Sequence, residues 1–299
     1  MARRLILALF IALAGCSMKT TAPAIRVEDF NSERAFRDVQ QLVAIGPRVS
    51  GTPALTNAAN YIASQLKAAG LEVEDQEFTA PTPVGPVRFH NIVGKTRTGN
   101  GGAGKVIILG SHFDTKFFPD FKFVGANDGG SSTGLLLEMA RVLAKQPDVW
   151  FVFFDGEEAR EEYGPEDGLT GSRFFVEQLK ADNRTKWIKA MVLFDMIGDR
   201  DLNITIPSDS TPGLVQQTFD AARAVGHRDA FAYRPRDTLD DHVPFLQAGI
   251  PAVDIIDFDY GPDNGFWHTD KDTLDKISPR SLEMVGRTGL KLVALLRQN

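Results

Sequence analysis

From about residue 31 onward the chain moves between two hydrophobic rhythms. Ala35, Val39, Leu42 and Val43 recur at helical spacing behind Asn31 and Ser32, either of which can cap, and Gly46-Pro47 ends that helix near Ile45. Pro53 opens a second helix whose Tyr61, Ile62, Leu66 stripe runs to Gly70. Residues 71–78 and 87–93 then alternate apolar with polar and predict an antiparallel edge pair. After them come short, continuous apolar runs at 106–109, 150–154, 191–194 and 253–256. Helical patterns separate or follow them at 132–144, 172–179, 212–224 and 279–296. Buried parallel strands read as such unbroken runs, and their alternation with helices predicts an α/β fold. The expected architecture is a three-layer sandwich, a central and mostly parallel mixed sheet with helices on both faces. No repeat or internal linker interrupts residues 28–299, which are expected to form one catalytic domain.

Composition narrows the function. The chain has 299 residues, 43% of them hydrophobic and 24% charged, which excludes a disordered or collagen-like chain. Its 33 Lys and Arg stand against 39 Asp and Glu with no basic run, so no nucleic-acid partner is expected. Cys16 is the single cysteine, which rules out an intrachain disulfide and a cysteine-based zinc site; any metal must be held by His, Asp or Glu. Arg3 and Arg4, the apolar run 5–13 and Ala14-Gly15-Cys16 form a signal peptide over residues 1–15, with the cysteine directly after the small residues as in a bacterial lipobox. The run is far shorter than the ~20 apolar residues that span a bilayer. Cys16 is therefore expected to carry lipid, followed by a flexible Thr/Ala/Pro-rich tether over residues 16–27. Ser17 points to the outer membrane, facing the periplasm; the alternative is a periplasmic or secreted protein.

The chemistry collects behind the apolar runs. Run 106–109 leads into Ser111-His112-Phe113-Asp114, run 150–154 into Asp155-Gly156-Glu157-Glu158, run 191–194 into Asp195, and run 253–256 into a loop that reaches His268. Ligands of open parallel sheets bind outside the carboxyl ends of the strands, so these groups should share one edge. Adjacent Glu157 and Glu158 repel unless a cation or proton offsets them, and neighbouring residues point in different directions, so one can ligate while the other serves as a base. Asp128, in a Gly-rich loop before a helix, is either a helix cap or a third oxygen in an O,O,N zinc set, with Ser131 as the other capping choice. That loop lacks the Lys of a phosphate-binding loop and the spacing of a dinucleotide fingerprint. Of five histidines, His112, His242 and His268 have suggestive neighbours, whereas His90 and His227 are expected to be structural or exposed.

These segments, together with Gly125-Ala126-Asn127-Asp128 and Asp167-Gly168-Leu169-Thr170-Gly171-Ser172, resemble the zinc aminopeptidase-like superfamily. Asp240-Asp241-His242-Val243-Pro244-Phe245 and Trp267-His268-Thr269 resemble its glutaminyl-peptide cyclotransferase branch, which closes N-terminal Gln of peptides and proteins to pyroglutamate with loss of ammonia. The resemblance implies one Zn2+ on Asp128, Glu158 and His268, with Glu157 as general acid/base and Asp195 and Asp240 as its hydrogen-bond partners. It also implies a pocket wall from Trp267. The chain departs from the animal enzymes at Tyr163, which stands in place of a pocket tryptophan, at Leu239, and in a longer loop before Trp267 with Phe258, Tyr260 and Phe266 as candidate pocket aromatics. A zinc aminopeptidase of the same fold would add a second zinc through His112 and Asp195, with Asp128 bridging.

Overall fold

The computed structural model describes residues 22–96 and 105–298. The signal peptide and the first half of the tether read from the sequence, residues 1–21, lie outside the described residues. No helix among the described residues is long and apolar enough to cross a membrane.

Two helices lead: α1 (Ser32–Ile45), where Asn31 Oδ1 accepts the Arg34 N–H, and α2 (Pro53–Ala68), capped by Thr52 with Pro53 at its first position. The hairpin β1 (Glu72–Ala80) and β2 (Val87–Lys95) pairs antiparallel as the alternation predicts. Then follow β3 (Val106–His112), α3 (Gly130–Leu143), β4 (Val149–Phe154), α4 (Thr170–Ala181) and β5 (Ile188–Asp195). The remainder is β6 (Ile204–Pro207), α5 (Pro212–Ala224), β7 (Phe231–Arg234), α6 (Val243–Gln247), β8 (Ala252–Ile256) and α7 (Pro279–Leu296).

All eight strands join one mixed sheet in the order β1-β2-β4-β3-β5-β8-β6-β7. The four central strands β4, β3, β5 and β8 are mutually parallel, while β2 and β6 join them antiparallel. Alternate residues of the apolar runs feed opposite faces. Ile107, Leu109, Phe151, Phe153 and Val192 pack with helices α1, α2, α3, α5 and α7. Ile108, Trp150, Val152, Met191 and Leu193 pack with α4 and Phe245 of α6. Burial on both faces is why these strands show no alternation in sequence.

Strand β3 stands between β4 and β5, with α3 against one face of the sheet and α4 against the other. That is a topological switch point, where a crevice opens at the carboxyl ends of the strands. Helix α3 is buried on nearly every side, and it begins behind Gly129 without a side-chain cap. Asp128 and Ser131 are therefore not its caps: Ser131 Oγ donates to the Asn127 carbonyl and accepts the Ile197 N–H, and Asp128 turns to the histidines.

Candidate metal and catalytic site

Each parallel strand delivers its chemistry to the same edge. His112 is the last residue of β3, Asp195 the last of β5, Glu157 and Glu158 follow β4, and His268 lies on the loop after β8. The loops that carry them are held by carboxylates used as backbone clamps. Asp114 accepts the Glu157 and Glu158 N–H groups, both at 3.2 Å, so both residues leave the strand in fixed directions. Asp272 accepts the Asn127 and Asp128 N–H groups at 2.8 and 3.1 Å, and itself accepts the Tyr260 hydroxyl at 2.8 Å. The buried Arg48 guanidinium donates to the Phe113, Val124 and Gly125 carbonyls and ties the end of β3 to the Asp128 loop. At Gly129, with φ at +71°, a Cβ would sit 2.7 Å from the Asp114 carbonyl oxygen and 2.9 Å from the His112 ring, so only glycine lets the loop pass this close.

Asp128 is the hub. Its Oδ2 lies 3.3 Å from His268 Nε2, which is 3.1 Å from Glu158 Oε1. Its Oδ1 lies 3.2 Å from His112 Nε2, which is equally close to Asp195 Oδ1. The Asp128-Glu158-His268 set fits a zinc ion. Tetrahedral bonds of 2.0–2.1 Å put ligand atoms about 3.3 Å apart, and Asp128 Oδ2 is buried with no hydrogen-bond donor aligned to it. Trp267 stacks on the His268 ring at 4.2 Å, and Phe118 and Phe123 meet it edge-on at 5.7 and 5.8 Å, which fixes its orientation.

Electrostatics separate the two glutamates. Burial, reinforced by the Glu158 charge, pushes Glu157 well above the ordinary carboxylate range. Glu158 is raised by burial and by Asp128, with His268 opposing. Burial works against ionised Asp128, but the neighbouring His112 and His268 imidazoles prevail and hold it below the ordinary range. Burial lowers His268, yet Asp128 and Glu158 lift it to about 10, so a cation entering this set displaces a proton.

The set opens into a cavity of about 230 Å³ lined by Glu157, Tyr163, Asp195, Asp240, Phe258 and Trp267 among others. That is below the roughly 300–1,000 Å³ of drug-sized pockets and in scale with one terminal residue. A larger groove of about 880 Å³, walled by Phe117, Phe118 and Phe121, lies beyond and shares Lys116 and Phe118 with the surroundings of the donor set.

Two expectations are corrected. Asp195 and Asp240 line the cavity with Glu157 but give it no hydrogen bond: Asp195 binds His112, and Asp240 Oδ1 accepts the Asp241 N–H at 2.6 Å. The partner of Glu157 is Tyr163, whose hydroxyl lies 3.1 Å from both of its oxygens. Phe266 and Tyr260 do not line the cavity. Phe266 folds over Gly261, where φ is +75° and a Cβ would lie 2.3 Å from its ring, and packs edge-on against Tyr260; Phe258 supplies the wall instead. His242 is fully buried with Nε2 3.1 Å from Asp209, outside the cavity lining. His90 is buried beside Asp75, and His227 is half-buried beyond α5. Sequence reasoning placed Asp114 at this edge without its role as a backbone clamp, and missed Asp272, Arg48 and Lys116. Asp114 alone carried a signal, standing two residues after His112 at a strand end.

Residues 91–293 match peptidase family M28. The chain is 30% identical over 260 residues to a glutaminyl-peptide cyclotransferase of Drosophila melanogaster, covering 77% of this chain and 72% of that one. Among solved structures, a glutaminyl cyclase from an Acidobacteriales bacterium superposes with a TM-score of 0.84 at 38% identity, over 93% of this chain and 97% of the other. A Zn-dependent exopeptidase from Parabacteroides distasonis superposes with a TM-score of 0.79 at 29% identity, over 90% and 99%.

Proposed function

The chain belongs to peptidase family M28, and from that premise we propose that it is a glutaminyl cyclase, closing the N-terminal Gln of peptides to pyroglutamate. The observation that carries the reading beyond the comparisons is the division of labour between two adjacent acids. Glu158 faces His268 and Asp128, while Glu157 faces the cavity and its carboxylate accepts a hydrogen bond from the Tyr163 phenol.

Asp128, Glu158 and His268 would hold one zinc ion, which supplies a Lewis acid toward the side-chain carbonyl of the substrate glutamine. Glu157 takes a proton from the substrate's α-amine as its nitrogen bonds to the side-chain carbonyl carbon. The same Oε atom returns that proton to the leaving nitrogen as the old C–N bond breaks, and ammonia departs. No water is consumed. A carboxyl raised by burial suits both transfers, because it neither holds the proton too weakly to accept it nor too tightly to release it. Trp267 and Phe258 close the sides of the cavity against solvent.

One observation favours a second reading. His112 and Asp195 meet at Asp128 Oδ1, and His112, Asp128 and Asp195 could together hold a second metal, as a two-zinc aminopeptidase would need. Mass spectrometry of Gln- and Leu-initiated peptides in oxygen-18 water separates the two. Cyclisation gives loss of ammonia from the Gln peptide, no label, and an intact Leu peptide. Release of the first residue with label in its carboxylate overturns it.

The enzyme is further assigned to a bacterial cell envelope, anchored by lipid on Cys16, on the strength of the lipobox-like segment Leu13-Ala14-Gly15-Cys16. Cys16→Ser should move the activity from the membrane to the soluble fraction; equal partition of the two proteins would reject the anchor.

A further inference from the structure

The Glu157 carboxylate has one side-chain hydrogen-bond partner among the described residues, and it is not one of the neighbouring acids. Tyr163 Oη lies 3.1 Å from Glu157 Oε1, 3.1 Å from Oε2 and 3.4 Å from Glu158 Oε2. The residue as a whole is 38% exposed, yet its oxygen is turned inward to the acids. A dedicated scaffold puts it there. Both oxygens of Asp167 accept the N–H groups of Arg160, Glu161 and Glu162 at 2.7, 2.8 and 3.1 Å, and the Gly164 N–H returns to the Asp167 carbonyl. Arg173 closes the far side of the loop by donating to the Gly164 and Pro165 carbonyls. The ring lies against Gly168, where a Cβ would come within 2.5 Å of it, and the Lys116 amine stands 5.6 Å from its centroid.

We propose that Tyr163 is a positioning residue that holds Glu157 through both halves of the proton shuttle; the proposal rests on the assignment of Glu157 as the base. A hydroxyl is both donor and acceptor. Toward the carboxylate the phenol donates, and its position between the two oxygens keeps the carboxylate plane facing the cavity. Once Glu157 has taken the amine proton, the phenol oxygen can accept from the new carboxylic O–H, so the contact survives the change of charge. A ring without the hydroxyl would fill the same space and hold neither form.

The test is steady-state kinetics on metal-loaded Tyr163→Phe and Tyr163→Leu, with metal content measured on the same samples. The Phe variant should keep its metal, hold KM within about threefold and lose about tenfold to hundredfold in kcat, the scale of a hydrogen bond to a charged group. The Leu variant should lose as much kcat and raise KM as well, because the wall is gone. Acting through Glu157 also predicts non-additivity: in a Glu157→Gln background, Tyr163→Phe should cost less than twofold more. A Phe variant with kcat within twofold of the parent, or full additivity in the double variant, overturns the positioning role. Undiminished turnover in Glu157→Gln alone would instead overturn the assignment of the base.

Discussion

Asp128 stands between two sets of groups with the same inventory, one histidine and one further carboxylate each. On the Oδ2 side are His268 and Glu158; on the Oδ1 side are His112 and Asp195. What differs is access. The His112 side chain is 1% exposed, and Asp114 stands 3.5 Å from its second ring nitrogen, so both nitrogens face carboxylates inside the protein. The His268 side chain is 16% exposed and borders the cavity, with Trp267 stacked on its ring. Burial alone would lower His112, but Asp195, Asp114 and Asp128 raise it well above the usual imidazole range. On the closed side the acids favour the protonated imidazole. On the open side a cation can exchange for the proton. The two donor inventories are alike and differ in access, since only the His268 side borders the cavity.

The largest effect expected from breaking this contrast is loss of the open-side histidine. His268→Gln should leave metal content by elemental analysis near zero and abolish measurable cyclisation. Glu157→Gln should lower kcat by about a hundredfold to ten-thousandfold, the range of a removed general acid/base, with metal content unchanged, because Glu157 lies outside the donor set. A smaller effect is expected on the closed side. His112→Gln removes a hydrogen bond that orients a ligand, and such partners are worth about tenfold to hundredfold in affinity. It should still fill with about one zinc per chain when zinc is in excess. A wild-type protein with two tightly held zincs, of which His112→Gln loses one, would erase the distinction between the two sides.

Much of this arrangement was legible in the sequence. The first two helices were marked by their starts and apolar stripes, and α5 and α7 lie where the helical pattern put them, at Pro212–Ala224 and Pro279–Leu296. The four parallel strands were unbroken apolar runs, each followed by an acid or histidine, so the converging edge could be read before any geometry. Strands β6 and β7, with four residues each, and the five-residue α6 are too short for any periodicity to register. Side-chain direction was the other gap. The resemblance made Asp195 and Asp240 the hydrogen-bond partners of Glu157, but Asp195 meets His112, Asp240 accepts the Asp241 N–H, and the phenol of Tyr163 takes the role. The clamps of Asp114 and Asp272 were equally hidden, since an acid that binds backbone N–H groups looks in sequence like any other surface acid.

The smallest predicted effect uses pH to sharpen the same comparison. Burial pushes Asp241, Asp257 and Asp272 up to about 7, while His268, lowered by burial but lifted further by Asp128 and Glu158, reaches about 10. Unfolded carboxyls titrate near 4 and unfolded imidazole near 6.5. A group that holds its proton more tightly when folded contributes full stability below its unfolded value and loses it as pH rises through its folded value. The carboxyls thus surrender their contribution between about pH 4 and 7, and His268 surrenders its own between about 6.5 and 10. From pH 7 to 9 the chelated enzyme should therefore lose melting temperature through His268, on top of whatever His112 contributes. In the zinc-loaded enzyme His268 must be deprotonated to ligate, so its share of the slope disappears, while the closed-side share persists in both forms. Melting curves of chelated parent, zinc-loaded parent and chelated His268→Gln across that window separate the two histidines. The first should slope downward more steeply than the other two, and three parallel lines would mean that the open and closed sides do not differ in the way their exposure implies.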